Sequence, residues 1–285
     1  MISPVIRGRI YILISFLIYS NIITSVASST VTLLTFFLLD YPIILSILLV
    51  VFSGTLLIYT LNRFTDLRED TINLPKRVEF IRKYGKVMLL VAIFLYVISL
   101  IMVAMHSSFA AIVAIFPLMI AFSYSYFRLK RFFLVKNFLI CSGWVCSLLI
   151  VGAYYHEFGI SIVLLTVLIF IAGFLNSIIF DIKDLRGDTL CNIRTFPVKY
   201  GIRKTKCCCY LLLIPLFLIT VYLTMRDIRS AILLPFLGYI TSYTYFLKEP
   251  ELCPAWYFGL YVDGEYIFLL SLIIIFSLAG SLALH

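Results

Sequence analysis

Charge is what this sequence has least of. Only 13% of its 285 residues are Asp, Glu, Lys or Arg, against 63% hydrophobic, and the mean hydropathy is +1.10. A soluble globule needs far more charge to cover its surface, so that class is excluded. Histidine is scarce too, with three residues, of which His106 stands alone in an expected external turn and is given no role. The seven cysteines include no Cys-x2-Cys pair and have no histidine nearby, which supports neither a zinc site nor a disulfide framework. The triplet Cys207-Cys208-Cys209 beside basic residues admits palmitoylation, although reduced thiols in an apolar helix are the plainer reading. No soluble domain, low-complexity linker or long tail is recognisable.

What remains is a series of apolar runs long enough to span a bilayer. They predict an all-α polytopic membrane protein with nine transmembrane helices, near 9–29, 41–62, 84–106, 108–127, 134–155, 158–181, 205–225, 229–247 and 262–284. The expected architecture is one domain over 1–285, a bundle around a central apolar cavity. Arg7 and Arg9 before the first run resemble the start of a signal peptide, but apolar character resumes at Val31 and an anchor is preferred. With the N-terminus cytoplasmic, all of the 23 Lys and Arg residues except Arg226 and Arg229 fall on the cytoplasmic side. Most of the net charge of +9 then reads as topology and attraction to anionic lipid, and no nucleic-acid partner is implied.

Topology does not explain why carboxylates gather on the same side. The second span runs into Asn62, Asp66 and Asp70, spaced i, i+4, i+8, and the sixth into Asp181, Asp184 and Asp188, spaced i, i+3, i+7. On continuing helices each set stacks along one face. Stacked like charges repel unless a cation sits among them. After the first stack come Asn73, Pro75, Lys76 and Arg77, with Pro75 expected to end the helix. The fourth helix ends in Tyr126, Arg128, Lys130 and Arg131, a basic and aromatic cluster, and Lys136 and Asn137 open the fifth. Arg194, Thr195, Pro197 and Gly201 punctuate the loop after the second stack. Asn21 at membrane depth reads as a helix-to-helix hydrogen-bonding residue. Glu249, Glu251, Asp263 and Glu265 read as helix-dipole partners that could line the mouth of a site.

Oxygen ligands select hard cations, and Mg²⁺ is typically held by one or two carboxylates with phosphates and waters completing its shell. A diphosphate bridging metals on the two stacks would neutralise both, with Arg77, Lys130 and Arg131 bonding its remaining oxygens. An allylic diphosphate adds a greasy tail suited to an apolar bundle. Ionising its C1–O bond needs metal and cationic groups at the leaving diphosphate. Some of the 19 Tyr and 25 Phe rings could then shield the developing cation, though most will be packing.

These residues resemble the UbiA superfamily of intramembrane prenyltransferases. The pattern Asn-x3-Asp-x3-Asp followed by x2-Asn-x-Pro-x-Arg is matched by Asn62, Asp66, Asp70, Asn73, Pro75 and Arg77. Its second motif is matched by Asp181, Asp184, Asp188, Thr195, Pro197 and Gly201, and its Tyr-x2-Leu-Lys-Arg segment by Tyr126, Leu129, Lys130 and Arg131. The resemblance implies Mg²⁺-dependent transfer of a prenyl group from a polyprenyl diphosphate to a lipophilic acceptor. It implies metal ligation by Asn62, Asp66, Asp70, Asp184 and Asp188, and diphosphate binding by Arg77, Lys76, Lys130, Arg131 and Arg194. Asp181, Asp184 and Tyr126 fall at the reacting centre. Two positions depart from the family: Val78 stands where Pro is frequent, and Lys136 where Gly is frequent. The form of the second motif is similar to branches that prenylate polycyclic, isoprenoid or lipid acceptors. The alternatives are a membrane terpene cyclase of the same superfamily, a secondary transporter, a CDP-alcohol phosphotransferase, whose Asp-Gly-x2-Ala-Arg motif this chain lacks, and two stacks that are merely salt-bridged helix ends. A transporter would bury charge at mid-membrane, whereas these carboxylates sit at helix ends.

Overall fold

The computed structural model describes residues 16, 19–127, 129, 132–248, 253 and 257–282, and these contain helices and turns with no strand. Nine helices of 14 residues or more follow in order: α1 (Ile22–Leu39), α2 (Leu45–Thr65), α4 (Pro75–Ala104), α5 (Ser108–Tyr126), α6 (Val135–Tyr155), α7 (Ile160–Lys183), α9 (Phe196–Arg226), α10 (Leu233–Phe246) and α11 (Glu265–Leu282). Two short helices, α3 (Leu67–Asn73) and α8 (Leu185–Leu190), follow α2 and α7. Six helices, α1, α2, α4, α6, α7 and α9, are long and apolar enough to cross a membrane, while α5 and α11 carry shorter apolar stretches. The protein is therefore an all-α polytopic membrane protein.

Lipid contact is legible in the outward faces. On α4, Val87, Leu90 and Phe94 are each more than 60% exposed, and α9 presents Leu211 and Leu218 in the same way. Apolar faces this extensive suit a hydrocarbon surround. Inside, hydroxyls rather than bulk join the helices. Ser28 and Thr55 share a 2.7 Å hydrogen bond between α1 and α2, Thr32 donates to the Ser147 carbonyl of α6 at 2.6 Å, and Ser53 meets Ser99 of α4 at 3.1 Å. Small hydroxyl residues let the backbones approach and supply the polar contacts that hold helices together in lipid.

Buried apolar residues form two clusters. One is built mainly from α1, α7, α9, α10 and α11, the other from α2, α4, α5 and the upper part of α6. Between them lies a cavity of about 750 Å³.

Helix starts depart from the expected positions where prolines open helices. Pro75 and Pro197 each occupy the first turn, of α4 and α9, where the missing N–H costs nothing. Both helices therefore start nine residues before the apolar run alone suggests, and Gly201 in α9 adopts φ 78°, a kink that a side chain would resist. At the end of α6, His156 in the left-handed region lets both its own N–H and that of Glu157 reach the Gly152 carbonyl. A Cβ on Gly152 would stand 2.7 Å from the Glu157 carbonyl oxygen. Gly152→Ala is thus expected to destabilise the protein by about 1–3 kcal/mol, read as a lower thermal midpoint in detergent; an unchanged midpoint would mean the α6–α7 turn yields freely.

Candidate active site

Both acidic motifs lie at helix breaks. α2 stops at Thr65 and Asp66 takes φ −102°, ψ 14°; α7 stops at Lys183 and Asp184 takes φ −91°, ψ 6°. The middle residue of each motif thus occupies the same sparsely populated bridge region, which is frequent at active sites. The expected continuous stacks are bent at these points, yet the i to i−4 backbone bonds persist: Asp70 N–H reaches the Asp66 carbonyl at 2.9 Å and Asp188 N–H the Asp184 carbonyl at 3.0 Å. The short helices beyond the two breaks, α3 and α8, pack against each other. That contact brings two motifs more than a hundred residues apart to one end of the cavity.

Asn62, Asp66, Asp70, Arg77, Asp184 and Asp188 all line that end. Asp70 is buried and ion-paired with Arg77, with Arg63 at 3.8 Å. Opposite, Lys136 places its Nζ 2.7 Å from Asp181 Oδ1 and 3.8 Å from Asp188 Oδ2. Asp181 is wholly buried and does not line the cavity. Its second oxygen accepts a 2.9 Å hydrogen bond from Asn137 Nδ2, which also donates to Ser177 at 2.8 Å. From behind the cavity wall Asp181 therefore anchors Asn137 beside it and Lys136 on the wall itself.

Several expected residues lie elsewhere. Lys76 and Arg194 are exposed and off the wall, and Tyr126 at the end of α5 is 71% exposed. Lys130, Arg131, Glu249 and Glu251 fall outside the described residues. Arg63, Lys183 and Tyr124 enter the site unannounced and line the cavity, together with Asp263, one of the acids expected as able to line its mouth. Asn21, at φ 61°, accepts from Arg63 Nε at 3.4 Å, and its buried Nδ2 has no hydrogen-bond partner. Higher up, Trp144 donates to the Tyr59 hydroxyl at 3.3 Å and stacks on Tyr266 at 4.8 Å, so three rings share one wall. Glu265 is buried away from the cavity, held by Asn176 at 2.8 Å and Tyr243 at 2.7 Å. The signal for Asn21 and Asn176 was amide groups inside apolar spans; nothing in the spacing singled out Arg63 or Lys183.

Electrostatically the mouth asks for cations. Burial pushes the Asp188 carboxyl up to about 7, with Lys136 pulling against it. Burial likewise raises Asp263 to about 6, opposed by Lys183, Arg63 and Arg77. Among the described residues no group of three or more His, Cys, Asp or Glu side chains could by itself hold a metal ion. Mg²⁺ does not require one, because substrate phosphates and waters complete its octahedron around one or two carboxylates. The buried Asp188 Oδ2 makes no hydrogen bond and has Lys136 Nζ 3.8 Å away. The donor set, carboxylates and an amide with no sulfur or imidazole, fits a hard divalent cation.

The arrangement matches known structures over nearly its whole length. A UbiA homologue from Archaeoglobus fulgidus, solved with GPP and Mg²⁺, superposes with a TM-score of 0.65 at 15% identity, covering 90% of this chain and 99% of that one. A UbiA homologue from Aeropyrum pernix K1, solved without ligand, gives 0.68 at 15% identity, covering 89% and 98%. A digeranylgeranylglyceryl phosphate synthase gives 0.60 at 15% identity, covering 92% and 96%. At such identity the likeness is one of fold. Among curated protein sequences no relative matches. The family model for UbiA prenyltransferases matches residues 21–262, from the amide at the head of α1 to the turn before α11. The chain belongs to the UbiA prenyltransferase family.

Proposed function

We propose that this prenyltransferase moves a prenyl group from a polyprenyl diphosphate to a lipophilic acceptor in the membrane, with Mg²⁺, after ionisation of the diphosphate at the two acidic motifs. The observation that carries the reading is the cavity: acids and cations of both motifs at one end, aliphatic and aromatic walls beyond. That is the negative of a ligand with a phosphate head and a hydrocarbon tail.

Asn62, Asp66 and Asp70 on one side, with Asp184 and Asp188 on the other, would hold Mg²⁺. When bound, the ion supplies neutralisation of the diphosphate and polarisation of its oxygens. The protein's own groups do the rest. Arg77, Arg63 and Lys183 give the head group fixed donors in a site screened from water, where charge-assisted bonds are strongest. Tyr124 at the head, and Tyr59, Trp144 and Tyr266 above it, present ring faces that shield the cation left on the tail and keep water from capturing it. Lys76, Arg194 and Tyr126 are left out of direct contact because none lines the cavity.

On this reading nine helices cross the bilayer as one domain, with both motifs on the cytoplasmic face that the charge distribution favours. Arg77→Gln is expected to raise the diphosphate KM about 10- to 100-fold with a smaller change in kcat. An effect confined to the acceptor KM would remove Arg77 from the head-group site. Incubating purified protein with geranylgeranyl diphosphate and a membrane lipid extract, followed by mass spectrometry, tests the transfer itself. A lipid heavier by one prenyl unit supports it; a cyclic hydrocarbon as sole product replaces it with a terpene cyclase.

A further inference from the structure

Lys136 stands inside the second acidic motif. Its side chain reaches from the first turn of α6 across to α7 and α8, touching Asp181 at 2.7 Å and lying 3.8 Å from Asp188 Oδ2, which makes no hydrogen bond, while facing the cavity. Asp181 is sealed from the cavity and further tied by Asn137, so the ammonium is held at one place. We propose that Lys136 is a resident cation that takes the place of a divalent ion between Asp181 and Asp188, leaving Asp184, with one oxygen of Asp188, as the whole metal-binding capacity of the second motif. Charge supports the assignment. Three carboxylates against one ammonium leave two negative charges, which is the charge of one divalent ion.

A buried carboxylate pair is stable only with a counter-charge. A tethered ammonium supplies it permanently, whereas a metal supplies it only while bound. Lys136 is thereby a positioning residue: it keeps the second motif in shape before any ligand arrives. The inference borrows from the prenyl diphosphate reading only the identity of the ion, and its test does not need turnover.

The test counts Mn²⁺ bound per chain, by the loss of the free-ion electron paramagnetic resonance signal, on purified full chain with inorganic pyrophosphate. Lys136→Gln keeps a donor to Asp181 but removes the charge, and is expected to bind one more Mn²⁺ per chain than the wild type. Lys136→Arg is expected to bind the wild-type number. Equal numbers in the wild type and folded Lys136→Gln, including none in either, overturn the proposal. Should Lys136→Gln fail to fold, Asp181→Asn decides: an unchanged count, with affinity within about threefold, supports a metal-free Asp181, and loss of an ion overturns it. Diphosphate release is measured separately, so a protein that gains an ion in Lys136→Gln yet releases no diphosphate keeps this inference and loses the functional reading.

Discussion

Asp66→Asn and Asp184→Asn are each expected to reduce diphosphate release by about 1,000-fold or more while leaving folded protein in the membrane. Both side chains line the head of the cavity from the residue where a helix breaks. Neither sits deep in the core, so an isosteric amide leaves packing intact and removes only the charge. Asp70 and Asp188 are poorer probes, because each is buried and already paired, with Arg77 and Lys136. Neutralising one of those leaves a buried cation without its partner and confounds stability with activity. Retained turnover in either isosteric variant, with melting unchanged, would break the assignment of the two motifs to the reaction.

The second large effect is on the tail. Gly143 lines the cavity, and a Cβ built there meets nothing within 4 Å. It lies seven residues beyond Lys136 on α6, about 10 Å along the axis. A dimethylallyl group ends below that level, whereas a geranylgeranyl tail must pass it. Gly143→Phe is therefore expected to lower kcat/KM for geranylgeranyl diphosphate by about 100-fold or more, since even a single methylene in an apolar pocket is worth 10-fold or better. With dimethylallyl diphosphate the change should stay within about threefold. Gly143→Ala controls for the backbone, because open space and better helix propensity make it neutral or mildly stabilising. An equal loss with both donors would mean that the tail does not run along α6.

These two predictions rest on features of unequal visibility in the sequence. Asp66 and Asp184 stand out from spacing alone, as the middle members of nine- and eight-residue stacks of oxygen-bearing side chains at the ends of apolar runs. The breaks at these same residues could not, since the backbone bonds that span them are those of an unbroken helix. Tyr126, singled out by a family motif, and Tyr124 differ in placement. Two residues apart on a helix they point about 200° away from each other, and it is Tyr124 that is buried on the cavity wall. Lys136 was visible only as a departure from a family pattern; its partners belong to α7 and α8, distances no spacing encodes. Pro75, read as a stop, does follow the end of α3 at Asn73 but also opens α4, and Pro197, read as loop punctuation, lies in the first turn of α9, because a missing N–H is harmless there. Apolar runs located the helices well, while the helix ends were set by polar residues that the runs do not contain.

The central claim is that diphosphate is ionised where the two motifs meet, and pyrophosphate release from purified protein given geranylgeranyl diphosphate tests it most directly. Release that requires Mg²⁺, stops in EDTA and disappears in Asp184→Asn is the predicted result. Release that persists equally in EDTA, or absence of release with donors of every tail length in the presence of Mg²⁺ and lipid extract, would contradict it.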